Sequence, residues 1–417
     1  MSIPASPTRA ALLLTLAASA CIPSIVVGDS PQDESGDEGT TALSTSTTAD
    51  APTTSGAPVP GECGDGVVNL GEACDDGNDE PNDGCDLACH ASGRVEWTVE
   101  PTGFSASDLA IDPAGRILLS GWDDSGPLLL ALGPDGTELW RKPAPAAGEL
   151  AVHATGQIFI GSTTGPVHAL TANHKPLWDF APDPPEGIFE VVIGLDVSSD
   201  AVYVGTLGSD SRLVVRRHDI TTGAVVWETP SPAFATLAED LAVVGDRVVV
   251  VGQTQDENHD ARPMLAVLDT AGALLTLEPE DPVVRPWVAA AAVGDGDLVI
   301  VGLGPEPGGI VRRLGPDGGE KWTTFPETSG NSIERVVTGP GERIAAFGRN
   351  QPASSASLVH LYDGAGAPLW SSTFANPLDS EQDVAVAGAF GPDYLVVAGR
   401  ISTDASSQTW IRRFALD

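Results

Sequence analysis

Two groups of residues in this sequence have the types and the spacing to do chemistry. The first is a set of four cysteines, Cys63, Cys74, Cys85 and Cys89, within 27 residues, with no cysteine from there to residue 417. An even set of thiols this close together reads as a local disulfide knot, in one of three pairings that spacing does not choose between. Interleaved with it are Asp75, Asp76, Asn78, Asp79 and Asp83. Their oxygens could ligate calcium, although the spacing is not that of an EF-hand; Asp, Asn and Gly at this density also build turns. The second group is Asp256, Glu257, His259, Asp260 and Arg262 in QTQDENHDARP, with Arg285 and Trp287 in EPEDPVVRPW. Carboxylates, an imidazole, guanidinium groups and an indole on neighbouring loops could bind a polar partner. If two carboxylates flanked a cleft, they could cleave a glycosidic bond.

Other chemistry is poorly supplied. Serines are plentiful but no G-x-S-x-G elbow occurs, and His153, His168, His174, His218, His259 and His360 are scattered. The chain carries 21 basic and 58 acidic residues, a formal charge of −37. Such a surface repels nucleic acid backbones and anionic lipid headgroups, so neither is an expected partner, and it favours solubility.

The elements that must position these groups begin with an export signal over residues 1–20. Arg9 is its positive flank, and ALLLTLAASA is an apolar core too short to span a bilayer. Cys21 follows in ASAC, which resembles the lipobox of bacterial lipoproteins; Ala18 stands where leucine is usual. The resemblance implies lipidation at Cys21, and Ile22, which is not aspartate, implies the outer membrane or cell surface. Cleavage by ordinary signal peptidase would give a secreted protein instead. With Cys21 lipidated, the remaining cysteines are an even set. Residues 21–60 are rich in Ser, Thr, Pro, Gly and acids and read as a disordered tether, with a span of about 35 Å. Residues 61–91, with CGDGVVNLGEACDDGNDEPNDGCDLAC, resemble the myxobacterial cysteine-rich repeat and form a module too small to stand without disulfides.

From residue 93 a phrase recurs, beginning DLAIDPAGRILLSG and ELAVHATGQIFIG, seven times in all. Its closing glycines, Gly121, Gly161, Gly205, Gly252, Gly302, Gly348 and Gly399, lie 40 to 51 residues apart. Each phrase is a strand, a tight turn and a strand. A second phrase, as in LLALGPDGTELW, follows the first six and adds two more strands. A tryptophan stands four residues past its turn glycine at Trp140, Trp227, Trp322 and Trp370; His174 replaces the glycine before Trp178, and Thr276 replaces the tryptophan after Gly272. Four strands per unit of this length predict a seven-bladed, all-β propeller over residues 93–417. The seventh unit lacks its last strand, and GRVEWTV (93–99), with Trp97, supplies one. Pairing of 93–99 with the C-terminal strand therefore closes the ring and removes an edge.

The turn DITTGAVVW (219–227) resembles the tryptophan-docking motif of quinoprotein-like propellers, and the other blades resemble bacterial surface propeller repeats with a D-x-x-G turn. No cysteine lies in the propeller, so the vicinal pair that covers a quinone in some of those enzymes is missing. No cofactor is expected beyond the calcium considered above. His168 and His360 share the repeat position of Arg216, Arg312 and Arg412 and read as strand residues. The arginine pairs 216/217, 312/313 and 412/413 read as surface partners of the many acids.

The expectation is an exported, lipid-anchored, monomeric envelope protein that touches the membrane only through its N-terminal lipid. Its propeller would be a non-enzymatic binding or scaffold module for a protein or glycan. The alternative is a glycosidase or lyase acting on extracellular polysaccharide. The two separate on whether two or three carboxylates with raised pKa values converge in a deep pocket at the loop-rich mouth, the end that carries the rim residues 256–262 and 285–287.

Overall fold

The computed structural model describes residues 63–416, except 70–71, 79–83, 86–88, 184–185, 231–234, 256–260, 280–286, 295, 305–307, 327–330, 351–355, 375–381 and 403–406. The export signal, Cys21 and the tether lie outside the described residues, as do Asp79, Asp83, Asp256, Glu257, His259, Asp260 and Arg285.

Seven four-stranded antiparallel sheets follow one another along the chain. Blades 1 to 6 span residues 105–143, 148–180, 190–230, 235–279, 287–324 and 331–374; blade 7 is built from 382–415 and Val95–Val99. The inner strand of each blade touches those on either side, and the first touches the last, so the ring is closed. Among the described residues the only helix is one 3-10 turn, Pro340–Glu342. No helix there is long and apolar enough to cross a membrane.

Closure is made by the strand that precedes blade 1. Val95–Val99 runs antiparallel to Ser407–Ala415, with Trp97 opposite Arg413 and Val99 opposite Ile411. Blade 1 is then tied to blade 7 by the amide of Ala106, which donates to Thr409 Oγ1 at 2.8 Å. Just upstream, the cysteines pair as Cys63–Cys89 and Cys74–Cys85. The small module joins the ring where the Ser371 amide donates to the Ala91 carbonyl at 3.3 Å.

Side chains alternate along each strand, so both faces of every blade meet a neighbour and the core is a set of apolar layers between blades. One such layer joins Leu109, Ile117 and Leu130 of blade 1 to Val396, Ala398 and Ile411 of blade 7. The repeated glycine of the second strand has a steric cause. Inner strands of blades 1, 4 and 6 carry a bulge, and a Cβ at Gly121, Gly252 or Gly348 would strike the carbonyl of Ser105, Leu237 or Ser332.

At the rim, a tryptophan on the outer strand of one blade lies against the turn glycine of the next. Trp97 meets Gly136, Trp178 meets Gly223, Trp227 meets Gly272, Trp322 meets Gly366 and Trp370 meets Gly93. Four of these indoles also donate Nε1–H to a carbonyl of that turn: Trp97 to Pro134 at 3.1 Å, Trp178 to Ile220 at 3.1 Å, Trp227 to Thr270 at 2.9 Å and Trp322 to Gly364 at 3.1 Å. A side chain on the glycine would occupy the indole's place. At the sixth junction Trp140 instead packs edge-on to His174, ring centroids 4.0 Å apart. The seventh, between blades 4 and 5, has Thr276 where the indole would be. Trp178 is buried, and its truncation to alanine should cost about 3–5 kcal/mol. Thr276→Ala should change stability by less than about 0.5 kcal/mol. Chemical-denaturation midpoints of the two variants check the contrast; equal shifts would contradict the docking role.

Candidate functional site

Charged residues of four inner strands face one another across the channel. Asp108 of blade 1, Glu149 of blade 2 and Asp240 of blade 4 all act electrostatically on Arg335 of blade 6. Asp108, Asp240 and Arg335 occupy the same register position, opposite the residue just before the repeated glycine of the second strand. Burial among protein dipoles pushes the carboxyls up. Asp240 rises to about 7, through burial and then the charge of Glu149. Asp108 lies well above the usual carboxylate range for the same two reasons. Burial also raises Glu149 and Glu239, and takes Asp196 of blade 3 to about 6. The Arg335 guanidinium, facing Glu149, Asp240 and Asp108, is held charged.

Convergence of raised carboxyls is what an acid–base site would show, but the oxygen atoms have other employment. Asp108 accepts the amide of Leu109 with one oxygen and that of Leu150, in the next blade, with the other, both at 2.7 Å. Asp196 does the same with Val197 and with Val243 of blade 4, both at 2.7 Å. Asp240 repeats the pattern with Leu241 at 2.7 Å and Ala290 of blade 5 at 3.0 Å. Three carboxylates thus staple blades 1 to 2, 3 to 4 and 4 to 5 around the channel. A carboxylate holding two backbone N–H groups is a structural acceptor, not a base positioned for substrate.

The arginine pairs divide by face. Arg217 pairs with the exposed Asp200 at 2.7 Å, Arg312 with Glu320 at 3.4 Å and Arg413 with Glu96 at 2.6 Å. Contrary to the surface reading, Arg216 and Arg313 are buried. Arg216 ties four strands of blade 3 together through Glu190 and Thr206, both at 2.7 Å, and Glu228, also at 2.7 Å. Arg313 holds Asp297 at 2.6 Å and reaches Glu342 of blade 6 at 2.9 Å. These partners hold Glu190 and Asp297 below the usual carboxylate range against the opposing pull of burial.

Of the residues proposed from sequence for the rim, two are described. Trp287 is fully buried on an inner strand, in the layer between blades 4 and 5, with the Arg312 guanidinium 5.1 Å over its ring. Arg262 is half-buried opposite Thr254. In the cysteine module Asp75 accepts the amides of Gly64, Asp65, Gly66 and Gly77, and these lower its pKa although burial opposes them. Asp76 accepts the amide of Cys85 at 2.9 Å. Both carboxylates thus organise turns. His168 pairs with Asp179 at 2.7 Å at the outer edge, and buried His360 is pushed down to about 4.

An opening of about 700 Å³ lies at the end opposite the predicted rim. It is lined by the tight turns of blades 1 and 2, including Asp112 and His153, with Pro340 and Phe390 from blades 6 and 7.

A family model described as "Outer membrane protein assembly factor BamB" matches residues 125–285, from blade 1 to the end of blade 4. No protein of curated function matches significantly in sequence. Among solved structures, BBS1N in complex with ARL6DN is 16% identical, with a TM-score of 0.51 over 78% of this chain and 96% of that one. The Dos1 propeller is 11% identical, with a TM-score of 0.48 over 77% and 94%. BamB from Moraxella catarrhalis is 14% identical, with a TM-score of 0.44 over 76% and 99%. The likeness is one of fold.

The staples make stability depend on pH. A carboxyl whose folded pKa is raised contributes most when protonated, so its contribution is full below about pH 4 and is lost as pH rises through about 7. The melting temperature should therefore fall from pH 5 to pH 8. Asp240→Asn mimics the protonated acid and keeps one acceptor, so it should make that slope shallower. An unchanged slope would mean that Asp240 does not titrate there.

Proposed function

We propose that this chain is an exported envelope protein whose propeller is a rigid, non-enzymatic scaffold for a protein partner. Residues 1–20 act as export signal, Cys21 as lipid anchor, 21–60 as tether, 61–91 as the cysteine-rich module and 93–417 as the propeller. One observation carries the scaffold reading: Asp108 and Asp240, the channel carboxyls most raised, accept backbone N–H groups within and between blades. These channel carboxyls stiffen the ring instead of standing free for hydrolysis. Stiffness suits binding, because a preorganised surface loses little entropy when a partner docks.

Two comparisons support a protein partner in the envelope. The matching family model is described as an outer membrane assembly factor. A propeller of similar fold, BBS1N, is seen in complex with ARL6DN. The acidic surface favours a partner with a basic face and disfavours nucleic acid.

The reading is tested by photo-crosslinking the full chain in intact cells of its source, with Cys21→Ala alongside. The expected result is one dominant crosslinked envelope protein for the native chain, and release of the variant from the membrane fraction. Degradation of extracellular polysaccharide by the purified chain, abolished by Asp240→Asn, would overturn the scaffold reading. Membrane retention of the variant would overturn the anchor.

A further inference from the structure

The junction between blades 4 and 5 keeps the turn and the carbonyl acceptor of the tryptophan-docking site but not the tryptophan. Blade 1 and blade 5 carry the same turn, Gly133-Pro134-Asp135-Gly136 and Gly315-Pro316-Asp317-Gly318, with the last glycine at φ +81° in each. In blade 1 the Trp97 ring fills the space a Cβ of Gly136 would need. In blade 5 a Cβ on Gly318 would meet nothing within 4 Å among the described residues. The preceding strand offers Thr276, and beside the turn lies a groove of about 360 Å³, lined by Asp246, Arg247, Asp269, Leu275 and Gly296 among others, which meets the turn at Pro316.

The hydrogen-bond acceptor is also kept. The Pro134 carbonyl takes two donors, the Trp97 indole at 3.1 Å and the Arg413 guanidinium at 2.6 Å. The Pro316 carbonyl takes Arg247 at 2.6 Å, and its second lone pair faces no indole. Arg247 also donates to the Gly296 carbonyl at 2.8 Å, so the guanidinium is fixed and one wall of the groove is rigid. The edge carries the carboxylates of Asp246 and Asp269 on a chain of charge −37.

We infer that the open face of Gly318, with the groove that meets its turn at Pro316, is a receptor for a tryptophan side chain carried on a basic segment of a partner protein. The molecule's own junctions define the ligand: an indole lying on the turn glycine, with its N–H on the turn carbonyl. The acidic edge selects lysine or arginine beside it. The inference goes beyond the scaffold reading by naming a site, and rests on it only in taking the partner to be a protein.

The probe is the amidated tripeptide Lys-Trp-Lys, titrated calorimetrically into the full chain, with Lys-Ala-Lys and Glu-Trp-Glu as controls. Saturable binding of Lys-Trp-Lys alone is expected. Thr276→Trp should supply the indole in cis, raise the melting temperature and weaken probe binding at least about tenfold. A crystal of the native chain soaked in the probe locates the indole whether or not that variant folds; it should lie over Gly318. Equal binding to Thr276→Trp, an indole bound elsewhere, or no saturation at millimolar probe would each overturn the inference. Trp122 is an exposed indole of this chain, so a concentration-dependent dimer abolished by Trp122→Ala would also overturn the inference, because a second copy would then fill the groove. Probe binding does not depend on capturing a cellular partner, so its failure and a failure of the scaffold reading are distinguishable.

Discussion

A ring of sheets has no stable intermediate form: either its last sheet meets its first, or two edges stay open. Here closure depends on one backbone ladder, between Val95–Val99 and Ser407–Ala415. It joins the two ends of the propeller segment, more than 300 residues apart in sequence. Every inter-blade layer on either side of it is held in a closed circuit, and unpaired edges that would template aggregation are covered. The loop-closure entropy is large but grows only slowly with length, so a single strand can offset it.

Once the circuit is closed, two kinds of contact stiffen it at different radii. At the channel, Asp108, Asp196 and Asp240 bridge neighbouring blades through backbone amides. At the rim, indoles lie on turn glycines. The inner contacts are polar and respond to pH; the outer ones are apolar with a polar handle and do not. Blade 3 has a third device, the Glu190–Arg216–Glu228 ladder, which runs from the inner strand to the outer one. A fold with these reinforcements is rigid enough to present a surface, and its binding properties reside in what decorates it.

Much of this could be read from residue types alone. The alternation of apolar residues, the spaced glycines and the Gly-to-Trp step gave the blades, their number and the closing strand, because propeller repeats write their geometry into each unit. The channel charges were less legible. Asp108 and Asp240 head the same D-L-A phrase, a signal that was visible, but nothing local says that they face Arg335 of a distant blade. Arg216 and Arg313 read as surface residues because their burial depends on carboxylates from other strands. Trp287 followed a polar loop and read as rim, whereas its side chain fills a core layer. The open turn at blade 5 was half visible: Thr276 marked the missing indole, but only the structure shows that no side chain among the described residues covers Gly318.

The closing ladder can be measured directly by paired cysteines. Thr98 lies opposite Arg412 in the register, and Ile411 is one residue out of step, with its side chain on the other face. Peptide mapping by mass spectrometry of the oxidised chain should find a 98–412 disulfide in the Thr98→Cys/Arg412→Cys variant and none in Thr98→Cys/Ile411→Cys. A crosslink in the second pair alone, or in neither, would contradict the register and the closed ring with it.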